Sequence, residues 1–392
     1  MAKSYDLVVV GGGVMGLSIA WSLARRAVGR IALLEKAYLG AGGSGKSGAI
    51  VRQHYSNPFT AQLARMSLQT YEQFDQIVGG PPVFTRTGLA IVVPQQDLPA
   101  LQANVQMQQG LGIDVHLVSA QELAQLDPNV HLGEDEVAAW ESEAGFVDAI
   151  QVLSSYAQAA MREGVEILEG VEVREVTVQH GKLTGLVVNE GRIPCGTAVL
   201  AVGPWIGRLA RSLQMEVPVQ PSRTQVALFR RPPELSRRLA TCVDFPGQIY
   251  FRAAAGEFLH AGSIAGEEAN SPVDPDRYPE SADSGWLPEI RLRLQRRCPA
   301  MHRSYGRGGY AALYDITPDW HPILDRCPQA EGLYLAVGFS GHGFKFAPLI
   351  GQLMAELIVD GQFRTLDARV FRLSRFAEGD LVKSGYAYGV MG

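Results

Sequence analysis

The hydrophobic pattern opens with four consecutive apolar residues, Leu7–Val10, and repeats with Ile31–Leu34, each run long enough for a strand buried on both faces of a parallel sheet. Between them Leu17, Ala20, Leu23 and Ala24 recur at helical spacing. A stripe through Leu63, Met66, Tyr71 and Phe74 predicts a single amphipathic helix over 58–77, closed by Gly79-Gly80-Pro81-Pro82. The pattern then predicts β-structure over 83–94, a Gln-rich helix with a solvated face over 96–111, a short helix over 120–126 after Ser119, and a helix over 149–163. Residues 165–168, 172–178 and 183–188 read as alternating strands of one meander, with turns at Gly170, His180-Gly181 and Glu190-Gly191. The segment 198–205 is again a fully buried strand ending in glycine. Strands follow over 225–230, 248–252 and 257–262, then a helix over 287–297, a strand over 333–337 and an apolar helix from Pro348 to Val359. Arg230-Arg231 and Arg296-Arg297 read as solvated charge, and the last ~20 residues as a peripheral tail.

The first two apolar runs enclose Gly11-x-Gly13-x-x-Gly16. Gly11 permits a tight turn, Gly13 lets backbone approach a pyrophosphate, and Gly16 lets the helix pack closely on the strand. The helix amino end then offers free N–H groups and partial positive charge to phosphates. Glu35 ends the second run 19 residues after Gly16, where a carboxylate suits a ribose. The order strand, glycines, helix, strand, acid predicts a dinucleotide cradle in an α/β fold; it leaves NAD(P) and FAD equally open.

The loop Gly40-Ala-Gly-Gly-Ser-Gly45-Lys46-Ser47 also satisfies the phosphate-loop pattern of nucleotide hydrolases. Such a loop follows its strand immediately and needs a second strand ending in an Asp for magnesium. Here Lys36–Leu39 intervene, and the preceding strand already serves the cradle. The loop is better read as backbone amides and hydroxyls lying against the same dinucleotide.

Composition narrows the function classes. The net charge of −5 with mixed signs leaves no basic stripe, so nucleic acid is excluded as an expected partner. The four cysteines have no CxxC spacing, which argues against zinc or a disulfide scaffold and fits a cytoplasmic location. No segment approaches the ~18 uninterrupted apolar residues of a membrane span, so no membrane insertion is expected. Among 392 residues there is room for two domains.

A second glycine cluster, Gly338, Gly341 and Gly343, lies between the buried run 333–337 and the last apolar helix. It predicts a second helix amino end aimed at something anionic or electron-rich, such as a reduced flavin. Lys345, a cation near that end, is unfavourable to the helix dipole unless an anion offsets it.

Together the cradle, Gly42-Gly-Ser-Gly-Lys-Ser-Gly-Ala-Ile-Val-Arg52, Gly145-Phe-Val-Asp148, Val199-Leu-Ala-Val-Gly-Pro-Trp205, Tyr250-Phe-Arg252, Thr317-Pro-Asp319 and Gly338-Phe-Ser-Gly-His-Gly-Phe-Lys345 resemble, in order, the FAD-dependent amino-acid oxidase superfamily, most closely its sarcosine oxidase and glycine oxidase branch. The resemblance implies a Rossmann-like FAD domain (1–82, 145–216, 311–375) interrupted by an α+β substrate domain with a mixed sheet (83–144, 217–310), and a tail over 376–392. It implies cofactor contacts from Gly11, Gly13, Val14, Met15, Gly16, Glu35, Lys36, Gly43, Ser44, Lys46, Ser47, Gly48, Val173, Gly203, Trp205, Ala312, Gly341, His342, Gly343, Phe344 and Lys345. Carried over residue by residue, it makes Arg52 and Lys345 the pair that binds a substrate carboxylate, lines the site with Tyr314 and with Tyr250 or Phe251, and puts His260 where sarcosine oxidases have an oxygen-activating lysine. One departure stands out: the position of the cysteine that bonds covalently to flavin in monomeric sarcosine oxidase is Ala312, so non-covalent FAD is expected. The implied reaction is oxidation of a small amino acid or secondary amine with O2 as acceptor. An electron carrier or quinone in place of O2, and a β-like FAD-binding subunit of a hetero-oligomer, are the alternatives.

Overall fold

The computed structural model describes residues 4–235, 239–254, 256–266 and 271–385. Its α-helices are α1 (Val14–Ala24), α2 (Pro58–Glu72), α3 (Phe74–Ile77), α4 (Leu98–Gly110), α5 (Ala120–Leu126), α6 (Ala149–Arg162), α7 (Ile206–Ser212), α8 (Trp286–Arg297), α9 (Gly343–Val359) and α10 (Arg375–Glu378).

Mostly buried, largely apolar strands form the centre of a six-stranded sheet, ordered β19 (Ile323–Arg326), β20 (Leu333–Val337), β13 (Cys195–Leu200), β1 (Tyr5–Val10), β2 (Ile31–Glu35) and β9 (Glu166–Glu169). Every neighbouring pair is parallel except β19 with β20. Gly16 makes the β1–α1 junction: a Cβ there would stand 1.8 Å from the carbonyl oxygen of Gly11, itself at φ +112°. Helix α1 is sandwiched between α6 and α9, with Trp21 edge-on to Tyr156 at 5.6 Å and Ser18 Oγ donating to Ala347 O at 2.7 Å.

The second layer is an eight-stranded mixed sheet, ordered β18 (Tyr305–Ile316), β14 (Gln220–Arg230), β17 (Phe258–Ser263), β16 (Ile249–Ala253), β15 (Thr241–Asp244), β5 (Leu89–Pro94), β7 (Glu136–Glu141) and β6 (Val115–Val118). Alternation sorts its residues by face. Ala227, Phe229 and Phe251 join Ile290 and Leu294 of α8 in one apolar core, while Val226 and Tyr250 turn the other way. Strand β18 runs past residue 310 without a break, so the chain returns to the six-stranded sheet only at β19. A small sheet, β3 (Ile50–Val51), β8 (Gly145–Val147) and β4 (Phe84–Arg86), and an antiparallel meander of β10 (Val173–Gln179), β11 (Lys182–Val188) and β12 (Gly191–Ile193) complete the topology.

Five sequence expectations are corrected. Residues 166–169 do not join the meander: α6 carries the chain back across the sheet, and β9 pairs parallel with β2. The helix expected over 58–77 breaks at Gln73, whose φ −116° and ψ 27° leave the helical region, giving α2 and α3. Helix α9 starts at Gly343, five residues before Pro348; the proline has no N–H for Phe344 O, and that carbonyl accepts the Tyr71 hydroxyl at 2.6 Å instead. Of the two neighbouring arginines, Arg297 is buried and forks onto Asp244 and Glu136, because it falls on the inner face of α8. The C-terminal stretch is no peripheral tail as far as residue 385: Arg375, fully buried, clamps Asp319 at 2.7 and 2.9 Å, Val382 N–H donates to the same carboxylate at 3.1 Å, and Gly385 N–H reaches Ser56 Oγ at 3.0 Å. The part of that tail over 386–392 lies outside the described residues.

Among the described residues no helix is long and apolar enough to cross a membrane. Burial alone would raise the Asp319 carboxyl, but Arg375 holds it below the usual range, so its stabilisation is present above the unfolded carboxylate range and fades as pH falls through the lower folded value. Arg375→Ala leaves a buried carboxylate unpaired and should destabilise the protein by about 3–5 kcal/mol, read as a lower urea midpoint at neutral pH.

Candidate active site

Between the two sheets runs one cavity of about 510 Å³, within the usual range for cofactor and substrate sites. One end is the cradle. Glu35 turns back on the glycine turn, one oxygen accepting Gly12 N–H at 2.7 Å and the other Ala37 N–H at 2.9 Å, while Ser44 Oγ accepts Val14 N–H at 3.0 Å. The loop over 40–48 is therefore tied to the amino end of α1. Helix α1 has Gly13 as its N-cap and α9 has His342, and neither gives a side-chain cap. Two helix amino ends with N–H groups left for a ligand open onto one cavity.

The other end is a chamber under β16, β14 and β18. Two tyrosines stand on glycines: a Cβ at Gly262 would lie 2.4 Å from the Tyr250 ring, and one at Gly341, φ +82°, 2.8 Å from the Tyr314 ring. No side chain but hydrogen leaves room for either ring. Burial raises both phenols and keeps them protonated. Asp315, next to Tyr314 on β18, accepts the N–H groups of Gly338 and Phe339 at 2.8 and 3.0 Å, fixing the turn before α9 to the larger sheet. Burial pushes its carboxyl up to about 6, against these bonds.

Two cations are buried here. Arg52, just after β3, lies 4.2 Å over the Tyr55 ring and donates through Nη1 to His54 O. Lys345, in the first turn of α9, has Nζ 6.0 Å from the same ring. Burial, and then the Arg52 charge, lower the Lys345 amine well below its ordinary value, with Glu141 opposing. His342, whose Nδ1 is 3.1 Å from the Tyr55 hydroxyl, is kept neutral by burial and by Lys345 and Arg52.

A strap over 271–283 crosses the mouth. Arg223 of β14 holds it through Pro279 O, Ser281 O and Asp283 at 2.8–3.1 Å. Asp276 Oδ1 accepts from Lys36 Nζ at 2.9 Å and from Trp205 Nε1 at 2.8 Å, and Lys46 Nζ bonds Tyr278 at 3.1 Å and Glu280 at 2.9 Å.

The cavity is lined by Gly11, Gly13, Val14, Met15, Glu35, Lys36, Gly43, Ser44, Lys46, Ser47, Gly48, Val173, Gly203, Trp205, Ala312, Gly341, His342, Gly343, Phe344 and Lys345, and by Arg52, Tyr250 and Tyr314. Gly16 lies behind the lining, against Gly11. Phe251 faces the α8 core, leaving Tyr250 at the chamber. His260 is not brought to the cavity: it pairs with Arg252 across β16 and β17, its ring 6.4 Å from Tyr310, and burial followed by Arg252 lowers it to about 4. Sequence reasoning missed Glu141, Asp315, Tyr55 and the strap. Most of their partners are remote in sequence, and no local spacing marks them.

The fold and this cavity define a two-sheet dinucleotide-binding protein with a buried, cationic reaction chamber. Residues 6–357 match the FAD dependent oxidoreductase family, and the chain belongs to it. Human peroxisomal sarcosine oxidase is 28% identical over 385 residues, covering 95% of this chain and 96% of the relative. Monomeric sarcosine oxidase of Arthrobacter sp. (strain TE1826) is 25% identical over 389 residues, covering 95% and 97%. Among solved structures, L-proline dehydrogenase from P. horikoshii superposes with a TM-score of 0.89 at 23% identity over 97% of this chain and 100% of that one, and glycine oxidase from Geobacillus kaustophilus with 0.84 at 22% over 95% and 99%. The protein is an FAD-dependent oxidoreductase, and the two helix amino ends, the cradle and the cavity fit that cofactor.

The latch on Asp276 is half exposed, so its contribution is of the order of 1 kcal/mol. Asp276→Asn should release FAD about fivefold faster, measured as the recovery of flavin fluorescence on dilution, and the difference should vanish in molar salt.

Proposed function

We propose that the protein oxidises a small amino acid or N-methyl amino acid, of the kind represented by sarcosine, glycine or proline, with non-covalent FAD. The observation that carries this reading is the burial of Arg52 and Lys345 together in the chamber where α9 presents its amino end. A guanidinium matches a carboxylate bidentately, and a second cation holds its charge. Two such groups in low dielectric, with a helix dipole of the same sign, have an anion as their natural occupant.

In this reading Arg52 and Lys345 hold the substrate carboxylate and Tyr250 and Tyr314 wall the chamber, Tyr314 offering a hydroxyl hydrogen. When bound, FAD would supply the acceptor for a hydride equivalent from the carbon bearing the amine. The chain's part is to fix the carboxylate, aim the C–H bond, exclude water and supply positive charge near the cofactor. The amine enters neutral and the imine product leaves and hydrolyses in water, with O2 as the terminal acceptor and H2O2 as the by-product. Ala312 offers no thiol for a covalent link, and all four cysteines are buried elsewhere. His260 has no step in this scheme.

A panel of sarcosine, glycine, proline and D-amino acids, scored anaerobically for bleaching of the flavin absorbance, tests the reading; no bleaching by any of them overturns it. Admitting air afterwards separates an oxidase from a dehydrogenase that serves a carrier, and the native mass together with the activity of the isolated chain separates an autonomous enzyme from a subunit. Arg52→Ala should cost about 2–5 kcal/mol of substrate binding, appearing as a KM raised by roughly two orders of magnitude.

A further inference from the structure

Arg52 is also held indirectly, by a carboxylate acting through the backbone. Glu141 ends β7, opposite Leu89 of β5 and Val115 of β6, and is fully buried. Its Oε1 accepts the N–H of Gln53 at 2.7 Å and its Oε2 the N–H of His54 at 2.9 Å. The Gln53 side chain adds a third donor at 3.3 Å and reaches Glu143 at the same distance. Two successive amides on one carboxylate leave the chain after β3 little freedom to turn. The residue whose amide is taken, His54, gives its carbonyl to Arg52 Nη1. A continuous path thus runs from the eight-stranded sheet, through Glu141 and two amides, to the guanidinium.

Packing alone would not select a carboxylate. Burial of an anion is costly, and an amide side chain would fill the same space. Burial pushes the Glu141 carboxyl up to about 7, with Gln53, Arg52 and His54 working against the rise. A glutamine could meet one amide with its oxygen but would set its own N–H2 against the other, donor facing donor. The clamp on both amides therefore needs two acceptor oxygens.

We propose that Glu141 is the positioning residue of the carboxylate site, setting the Arg52 guanidinium through the backbone of Gln53 and His54. The inference rests on the reading of Arg52 as the ligand of the substrate carboxylate. It makes the eight-stranded sheet part of substrate recognition by way of β7, a strand absent from the cavity lining.

The test uses the flavin-loaded protein and propionate, a monocarboxylate without an amine, titrated by its perturbation of the flavin absorbance. Glu141→Gln, of the same volume, should keep the flavin content, weaken propionate about tenfold and raise the KM of the amino-acid substrate in parallel, with kcat within twofold of the parent. In an Arg52→Ala background the same change should have no further effect, since the path ends at the guanidinium. Unchanged propionate affinity in Glu141→Gln, or a loss that adds in full to that of Arg52→Ala, overturns the proposal. Propionate affinity unchanged in Arg52→Ala overturns instead the reading beneath it, and the clamp with it. Should Glu141→Gln purify without flavin, Glu141→Asp, which keeps the charge but draws it back by one methylene, is judged by the same criteria.

Discussion

Keeping Arg52 and Lys345 out of water in one chamber is the constraint to which the rest of the structure answers. Each buried cation is costly, and each raises the cost of the other. The Lys345 amine bears that cost as a lowered affinity for its proton, from burial first and from Arg52 second. Its place in the first turn of α9 adds the unfavourable sign of the helix dipole. Such an arrangement stands only because elements from both layers dictate it: β3 and the small sheet deliver Arg52, α9 delivers Lys345, and β7 brings Glu141 as the buried carboxylate that faces them. In the proposed function, the strain on these charges is stored affinity for an anion, the form in which a binding site can be prepared before its ligand arrives.

Some of the contacts that join the two layers shape the chamber. Asp315 fastens the turn before α9 to β18, and the neighbouring Tyr314 leans on the bare backbone of Gly341 in that same turn. Tyr250 leans likewise on Gly262 of its own sheet. Ring against backbone is a rigid contact, without rotamers to adjust on one side. The walls of the chamber are consequently fixed by the sheets.

What the sequence reveals and what it hides divide by the range of the interactions. The cradle is legible because its demands are local: Gly11 must reach φ +112°, Gly16 must approach Gly11, and Glu35 must close the next strand. The turn Gly338–Lys345 is legible for the same reason. Glu141 is not, since it serves amides 88 and 87 residues away and resembles any acid at a strand end. Arg296 and Arg297 look alike until the helix face is known, and only then does Arg297 meet Asp244 and Glu136. Residues 166–169 place only Ile167 and Leu168 between two glutamates, a pattern that suits either sheet, and the return path through α6 decides between them. Helix α9 escapes a proline rule because a remote tyrosine hydroxyl takes up the carbonyl that Pro348 leaves without a donor.

The order of strands bears on how the protein comes into being. The sheet's first strand in sequence order is an inner one: β1 pairs with β2 nearby, but its other neighbour, β13, begins with Cys195 opposite Tyr5, and β20 follows only at Leu333. Ser18 in α1 waits 329 residues for its partner in α9. A chain leaving the ribosome therefore displays its nucleotide turn long before it has a sheet, a second helix end or a chamber to go with it. The complete FAD site thus exists only once contacts distant in sequence have closed. A break in translation anywhere before α9 yields a fragment without a complete cofactor site.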